Sequence, residues 1–197
     1  MKLVFILTLL LLWTSASNAQ DSATAPVESL HAALEQVMKD GPSLGFDGRA
    51  SQLTPVVEQS YDLPTMTRSA IGAQAAKLSP EQMERLVRAF THYTVATYAR
   101  QFASYDGERF ETGQPAPAHG GGTLVPTRII PATGDPARLT YLVKQTPAGW
   151  RIEDVLLDGT ISQLAVRRAE FRSVAMLKGA DALVDMLEAR AAEQAKP

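Results

Sequence analysis

The sequence predicts an α+β fold, with helices first, then an antiparallel twisted sheet of about four strands, then helices that close over it. Three observations predict it. Apolar residues recur every three or four positions from Val27 to Tyr105. Between Glu108 and Leu157 the recurrence shortens to two. From Ile161 the helical spacing returns.

The first helix carries Val27, Leu30, Leu34, Val37 and Met38 on one face and stops at Gly41-Pro42, because proline cannot continue a helix. Ser43 to Gly48 is turn-rich and leads to a second short helix with Leu53, Val56, Val57 and Tyr61. Pro64 opens another short segment. The best-marked helix starts at Ser79-Pro80-Glu81-Gln82: a capping hydroxyl, a proline in the first turn, and a glutamine three residues after the cap. Its apolar face runs through Met83, Leu86, Val87, Phe90, Thr94, Tyr98, Phe102 and Tyr105, and Asp106-Gly107 ends it.

Glu108 to Thr112 is a short strand, and Gly113 to Gly122 a Pro/Gly/His loop. Three longer strands follow over 124–130, 138–145 and 150–157, the last two joined by Thr146-Pro147-Ala148-Gly149. In the final strand Trp150 and Ile152 are even-numbered, whereas Val155 and Leu157 are odd-numbered. Side chains alternate between faces, so this change of parity predicts a bulge near Glu153-Asp154. After Asp158-Gly159-Thr160 a helix carries Ile161, Leu164, Ala165, Phe171 and Val174 and is capped at Lys178-Gly179. A last helix begins at Asp181 with Leu183, Met186 and Leu187.

Residues 1–19 read as a cleavable secretory signal peptide. Lys2 gives a positive start, Leu3 to Trp13 an apolar run, and Ser17 and Ala19 the small residues of a cleavage site after Ala19. The run falls short of the roughly 20 apolar residues that span a bilayer. The remainder, residues 20–197, is long enough for one domain with a sizeable core. Removing Lys2 takes the formal charge from −2 to about −3, which offers no basic footprint for a nucleic acid. Cysteine is absent, which excludes disulfides and cysteine-based metal or thiol chemistry. The mature chain is expected to be soluble.

No catalytic constellation stands out. His31, His92 and His119 show no metal-ligand spacing and read as surface or rim residues. Gly120-Gly121-Gly122 lacks the lysine and helix start of a phosphate-binding loop, and Ser162 has no nucleophile-elbow context. Glu153, Asp154 and Asp158 form the one compact acidic group, and residues at a bulge and a turn are more often solvated or bonded to backbone N–H groups. The apolar faces are extensive, and periodicity leaves a filled core and a hollow one equally open.

The order of these motifs resembles the MlaC family, also called the toluene-tolerance auxiliary family of periplasmic lipid carriers. The resemblance rests on Ala70-Ile71-Gly72, on LSPEQMERLVRAFTHYTVATYARQFASYDGERF over 78–110, and on Trp150 to Val155. It continues through Asp158-Gly159-Thr160-Ile161-Ser162, RRAEF over 167–171 and KGADALVDML over 178–187. The phospholipid carriers typically have Gly-Val-Ser after the last strand. Gly-Thr-Ile-Ser stands here instead, in a pattern similar to the hopanoid-associated branch named HpnM.

The resemblance implies an NTF2-like/MlaC-like sheet and helices around a hydrophobic cavity, with a bound phospholipid or hopanoid and no cofactor, metal or catalysis. It implies a monomer that shuttles lipid between an inner-membrane transporter complex and an outer-membrane lipoprotein complex, in support of outer-membrane lipid asymmetry. The candidate lining is Phe90, Tyr98 and Phe102 from the long helix, with Ile129, Leu139, Tyr141, Val143, Ile152 and Val155 from the sheet. Ile161, Phe171, Leu183 and Leu187 are the candidates from the closing helices. Two alternatives remain: an adaptor of membrane complexes with a filled core, and a cavity enzyme with Asp154 or Glu153 as base and Tyr141 as hydrogen-bond donor.

Overall fold

The computed structural model describes residues 22–196; the signal-peptide reading of residues 1–19 lies outside them. Among the described residues, five α-helices, a short 3-10 helix over Gly72–Lys77 and a six-stranded antiparallel sheet make up the fold. Helix α1 spans Ala25–Lys39 and α2 Gly41–Ser60. Pro42 sits in the first turn of α2, where its missing N–H costs nothing, so the stop after α1 is also the start of the next helix. The stretch expected to be turn-rich is therefore helical, interrupted only at Gly45 (φ 62°, ψ −176°). Helix α3, Leu63–Ile71, begins under Asp62, whose carboxylate accepts the Thr65 N–H at 3.0 Å.

Helix α4 spans Pro80–Gln101. Its start is a complete capping box: Ser79 Oγ accepts the Gln82 N–H at 3.2 Å, and Gln82 Oε1 accepts the Ser79 N–H at 3.0 Å. It ends at Phe102, one turn earlier than the apolar spacing suggests, so Tyr105 lies beyond it with the Lys39 ammonium 5.2 Å from its ring centre.

The strands are β1 (Arg109–Thr112), β2 (Ala116–Pro117), β3 (Thr123–Ile130), β4 (Ala137–Thr146), β5 (Gly149–Leu157) and β6 (Ile161–Ser162). Their order is β1-β3-β4-β5-β6, with β2 a two-residue spur on β3. The bulge is where the parity change places it. Leu142 pairs with Asp154 but Val143 pairs with Ile152, leaving Glu153 as the extra residue. Helix α5, Gln163–Gln194, is broken at Gly179 (φ 87°, ψ 172°), which separates the two C-terminal helices read from the sequence.

One buried cluster joins the helices to the sheet. Val27, Leu30, Leu53 and Val57 of α1 and α2, Leu86 and Ala99 of α4, Val125, Val143 and Ile152 of the sheet, and Phe171, Leu183 and Leu187 of α5 belong to it. Phe90 and Phe171 meet edge to face, with centroids 6.0 Å apart at 84°, and fasten α5 to α4. The chain also crosses from helix to sheet directly after α2, where Tyr61 bridges Ile152 and the Asp62 N–H donates to the Ile152 carbonyl at 2.9 Å.

The α2–α4 contact depends on two less usual residues. Arg49 is buried, and its guanidinium donates to the Ala99 carbonyl in the last turn of α4 (2.8 Å) and to the Gly41 carbonyl (3.2 Å). A cation there also complements the negative end of the helix. Gly41 lies so close to the chain leaving α4 that a Cβ would sit 2.1 Å from the Ala103 carbonyl oxygen. Gly41→Ala is therefore expected to destabilise the fold by about 1–3 kcal/mol or to force α2 away from α4. Urea denaturation at neutral pH checks this: an unchanged midpoint would mean that the approach is not tight.

Candidate functional site: an apolar cavity between sheet and helices

The inner face of the sheet does not pack solidly against the helices along its whole length. Near the β3–β4–β5 side a cavity of about 430 Å³ remains, in the range typical of small-molecule sites. Its inner end is formed by the buried residues Leu34, Tyr61, Met66, Phe90 and Tyr141. Half-buried Ile129, Leu139 and Val155 form the sheet wall. Exposed Gln101, Ala137 and Leu157 mark the opening.

Helix α4 contributes a stripe at helical spacing, with Phe90, Thr94, Thr97 and Gln101 in line and Tyr98 and Phe102 beside it. The threonine hydroxyls donate back to the Phe90 and Tyr93 carbonyls, each at 2.8 Å, so this stripe presents less polarity than its composition suggests.

A groove of about 550 Å³ also runs along the outer surfaces of α2, α3 and α4. It has Glu58 and Arg88 on its walls and no residue from the sheet. The inner cavity, enclosed by both sheet and helices and mostly apolar, is the better ligand site.

The phenol hydroxyls at the inner end are uncharged and paired. The Tyr61 and Tyr98 hydroxyls hydrogen-bond to each other. The Tyr141 hydroxyl bonds to His31 Nε2 at 3.1 Å. Burial pushes all three phenols above their ordinary range, so they stay neutral at physiological pH. His31, read from sequence as a surface or rim residue, is buried instead, with Phe110 against its ring at 4.6 Å. Desolvation lowers its pKa to about 4, so it is neutral. Among the described residues its Nδ1 finds no partner, which favours the tautomer with the proton on Nε2, donated to Tyr141. His92 and His119 are exposed, the first bonded to Glu188 at 2.6 Å.

Asp154 lies on the cavity wall, and its carboxylate is fully engaged. One oxygen accepts the Val155 and Leu164 N–H groups at 2.8 and 3.1 Å; the other accepts the Ser162 hydroxyl at 2.5 Å. Ser162 in turn caps α5 by accepting the Ala165 N–H at 2.9 Å. Glu153 is ion-paired to Lys144 at 2.7 Å. The carboxylates of the acid–base alternative therefore hold the bulge and the start of α5, and its donor, Tyr141, is bonded to His31. Among the described residues no group of three or more His, Asp or Glu could hold a metal ion.

Of the lining read from sequence, Phe90, Tyr98, Phe102, Ile129, Leu139, Tyr141 and Val155 face the cavity. The others do not. Val143 and Ile152 pair with each other beyond the bulge and lie in the solid core, as do Leu183 and Leu187. Phe171 packs on Phe90 in the same core, and Ile161 is about half exposed on β6. Sequence reasoning missed Leu34 and Tyr61, although it had placed both on apolar helix faces; it also missed Met66, in a short segment to which it gave no apolar face, and the polar Gln101, Gln163 and Arg167.

An α+β domain with a mostly apolar cavity between sheet and helices defines a class of small-ligand-binding proteins. The sequence places it more closely. The chain belongs to the MlaC family, matching the MlaC protein description over residues 28–189. Its fold is similar to that of the phospholipid-binding protein from Ralstonia solanacearum, solved in complex with a phospholipid. That likeness has a TM-score of 0.73 at 24% identity, over 89% of this chain and 99% of the other. No curated protein sequence matches.

The buried histidine makes stability depend on pH. The folded state holds His31 at about pH 4 against an ordinary 6.5, so the unfolded chain binds the extra proton between these values. Stability from this group is complete above pH 6.5 and falls as pH drops toward 4, by roughly 3 kcal/mol in all. Thermal midpoints of wild type and His31→Gln between pH 7 and pH 4 test this: the decline should be shallower in the variant. Parallel curves would show that His31 does not carry the effect.

Proposed function

We propose that this chain is a periplasmic lipid carrier that takes a membrane lipid into the inner cavity and shuttles it between inner and outer membranes. The observation that carries the reading is the cavity itself, apolar along most of its wall, open at Gln101, Ala137 and Leu157, and free of charge at its inner end. Family membership supports it, as does the phospholipid held by the Ralstonia protein of similar fold. The leader-like residues 1–19 fit export to the periplasm. No described helix is long and apolar enough to cross a membrane.

The energetics make a carrier necessary. Each buried CH₂ is worth about 0.8 kcal/mol, so two acyl chains exposed to water cost on the order of 20 kcal/mol. A cavity that matches the apolar bilayer interior removes that barrier without catalysis. One chain walls the whole cavity, so a monomer suffices. The cargo is a phospholipid or a hopanoid, received from and delivered to membrane complexes at the two ends.

Mass spectrometry of organic extracts from protein purified out of a periplasmic fraction is expected to find one lipid class in near-stoichiometric amount. Leu139→Glu places a charge on the half-buried sheet wall and should remove most of that lipid while the protein remains folded. Ile161→Glu, on the exposed β6, should leave it unchanged. Wild-type protein without lipid would sink the reading, and equal retention by both variants would remove Leu139 from the site.

A further inference from the structure

Two charged side chains lie on the cavity wall, and the basic one has no carboxylate partner among the described residues. Arg167, in the second turn of α5, is half-buried and lines the cavity. Its Nη1 donates to the Tyr93 hydroxyl at 2.6 Å, and its guanidinium lies over the Tyr93 ring, 4.9 Å from the centroid. No carboxylate among the described residues forms an ion pair with it.

The acids that could have neutralised it are committed elsewhere. Glu170, three residues on, forms a two-pronged pair with Arg190. Asp154, on the same cavity wall, is engaged by three donors of the bulge and of the start of α5. Tyr93 thus holds the guanidinium in place by hydrogen bond and ring contact while leaving its charge and its other N–H donors unused.

A cation held half-buried on a mostly apolar wall is costly unless something anionic completes it. Its remaining N–H groups match the geometry of a phosphate, which arginine binds through paired hydrogen bonds. We infer that Arg167 holds the phosphate of the cargo's headgroup and selects phosphate-bearing lipids over neutral ones with the same apolar body. This inference rests on the lipid-carrier reading and narrows it, because a neutral polycyclic lipid leaves Arg167 unpaired. Tyr93 is a positioning residue: it touches the guanidinium, not the lipid.

The test compares two lipids with identical chains, dioleoylphosphatidylglycerol and dioleoylglycerol. Each is offered to the purified, delipidated full chain, and complexes are quantified by native mass spectrometry. Wild type is expected to prefer the phospholipid by about tenfold or more, the scale of a charge-assisted hydrogen-bonded pair. Arg167→Gln should lower phospholipid binding by that factor and leave dioleoylglycerol unchanged, the latter also reporting that the cavity is intact. Arg167→Lys should keep part of the preference, and Tyr93→Phe should weaken it less than Arg167→Gln.

No preference in the wild type, or an equal effect of Arg167→Gln on both lipids, overturns the assignment and leaves the carrier reading standing. Binding of neither lipid by the wild type overturns both. Displacement of the phospholipid by excess inorganic phosphate would assign Arg167 to a free anion instead of a headgroup, and likewise overturns the inference.

Discussion

The extra residue at Glu153 is the constraint on which the cavity depends. Without it, β5 would present one unbroken set of alternate side chains to the interior. With it, Ile152 joins the packed core on one side of the bulge, while Val155 and Leu157 line the cavity on the other. The bulge also brings the Asp154 carboxylate to the Ser162 hydroxyl and to the Leu164 N–H, where a negative charge suits the start of a helix. A single irregularity thus lets both Ile152 and Val155 face the interior, opposite Val143 and Tyr141 of β4, and ties the closing helix to the place where core gives way to cavity.

What keeps the cavity compatible with a lipid is the pairing of every hydroxyl at its inner end. Tyr61 meets Tyr98, Tyr141 meets His31, and the α4 threonines bond back to their own helix. Each pairing meets the hydrogen-bonding need of a buried polar atom without introducing charge, since burial keeps the phenols protonated and the imidazole neutral. Charge on the wall is confined to Asp154 and Arg167, and their situations are opposite. The first is saturated by its own backbone and Ser162; the second is oriented by Tyr93 and not neutralised. This contrast separates a group that builds the site from one available to a ligand.

The parts of the site legible in the sequence are those set by local periodicity. The α4 stripe of Phe90, Tyr98 and Phe102 and the strand set Ile129, Leu139, Tyr141 and Val155 follow from which face of an element is apolar, and the structure places them on the cavity. Val143, Ile152, Phe171, Leu183 and Leu187 obey the same periodicity and yet fill the core, because a residue faces a cavity only where no partner from another element reaches it. That depends on crossing distances between elements far apart in the chain. Ile161 shows the converse: its apolar character suggested a closing helix, but Ser162 takes the cap position and leaves Ile161 exposed on a two-residue strand. His31 lies four residues after Val27 and three before Leu34, so helical spacing already places it on the buried face of α1; what the sequence does not show is that Tyr141 and Phe110 come from the sheet to meet it.

By itself the sequence determined the α+β order, the helix boundaries marked by caps and prolines, the bulge betrayed by a change of parity, and the absence of cysteine chemistry. Each of these is fixed by residues within a few positions of one another, where backbone geometry and hydrogen bonding act locally. The tertiary structure alone decided which part of the apolar interior is empty, which tyrosines pair beside it, and that Arg167 stands on its wall with no carboxylate partner among the described residues. Those outcomes come from side chains brought together by packing across the whole chain, and no local pattern encodes the space left between them.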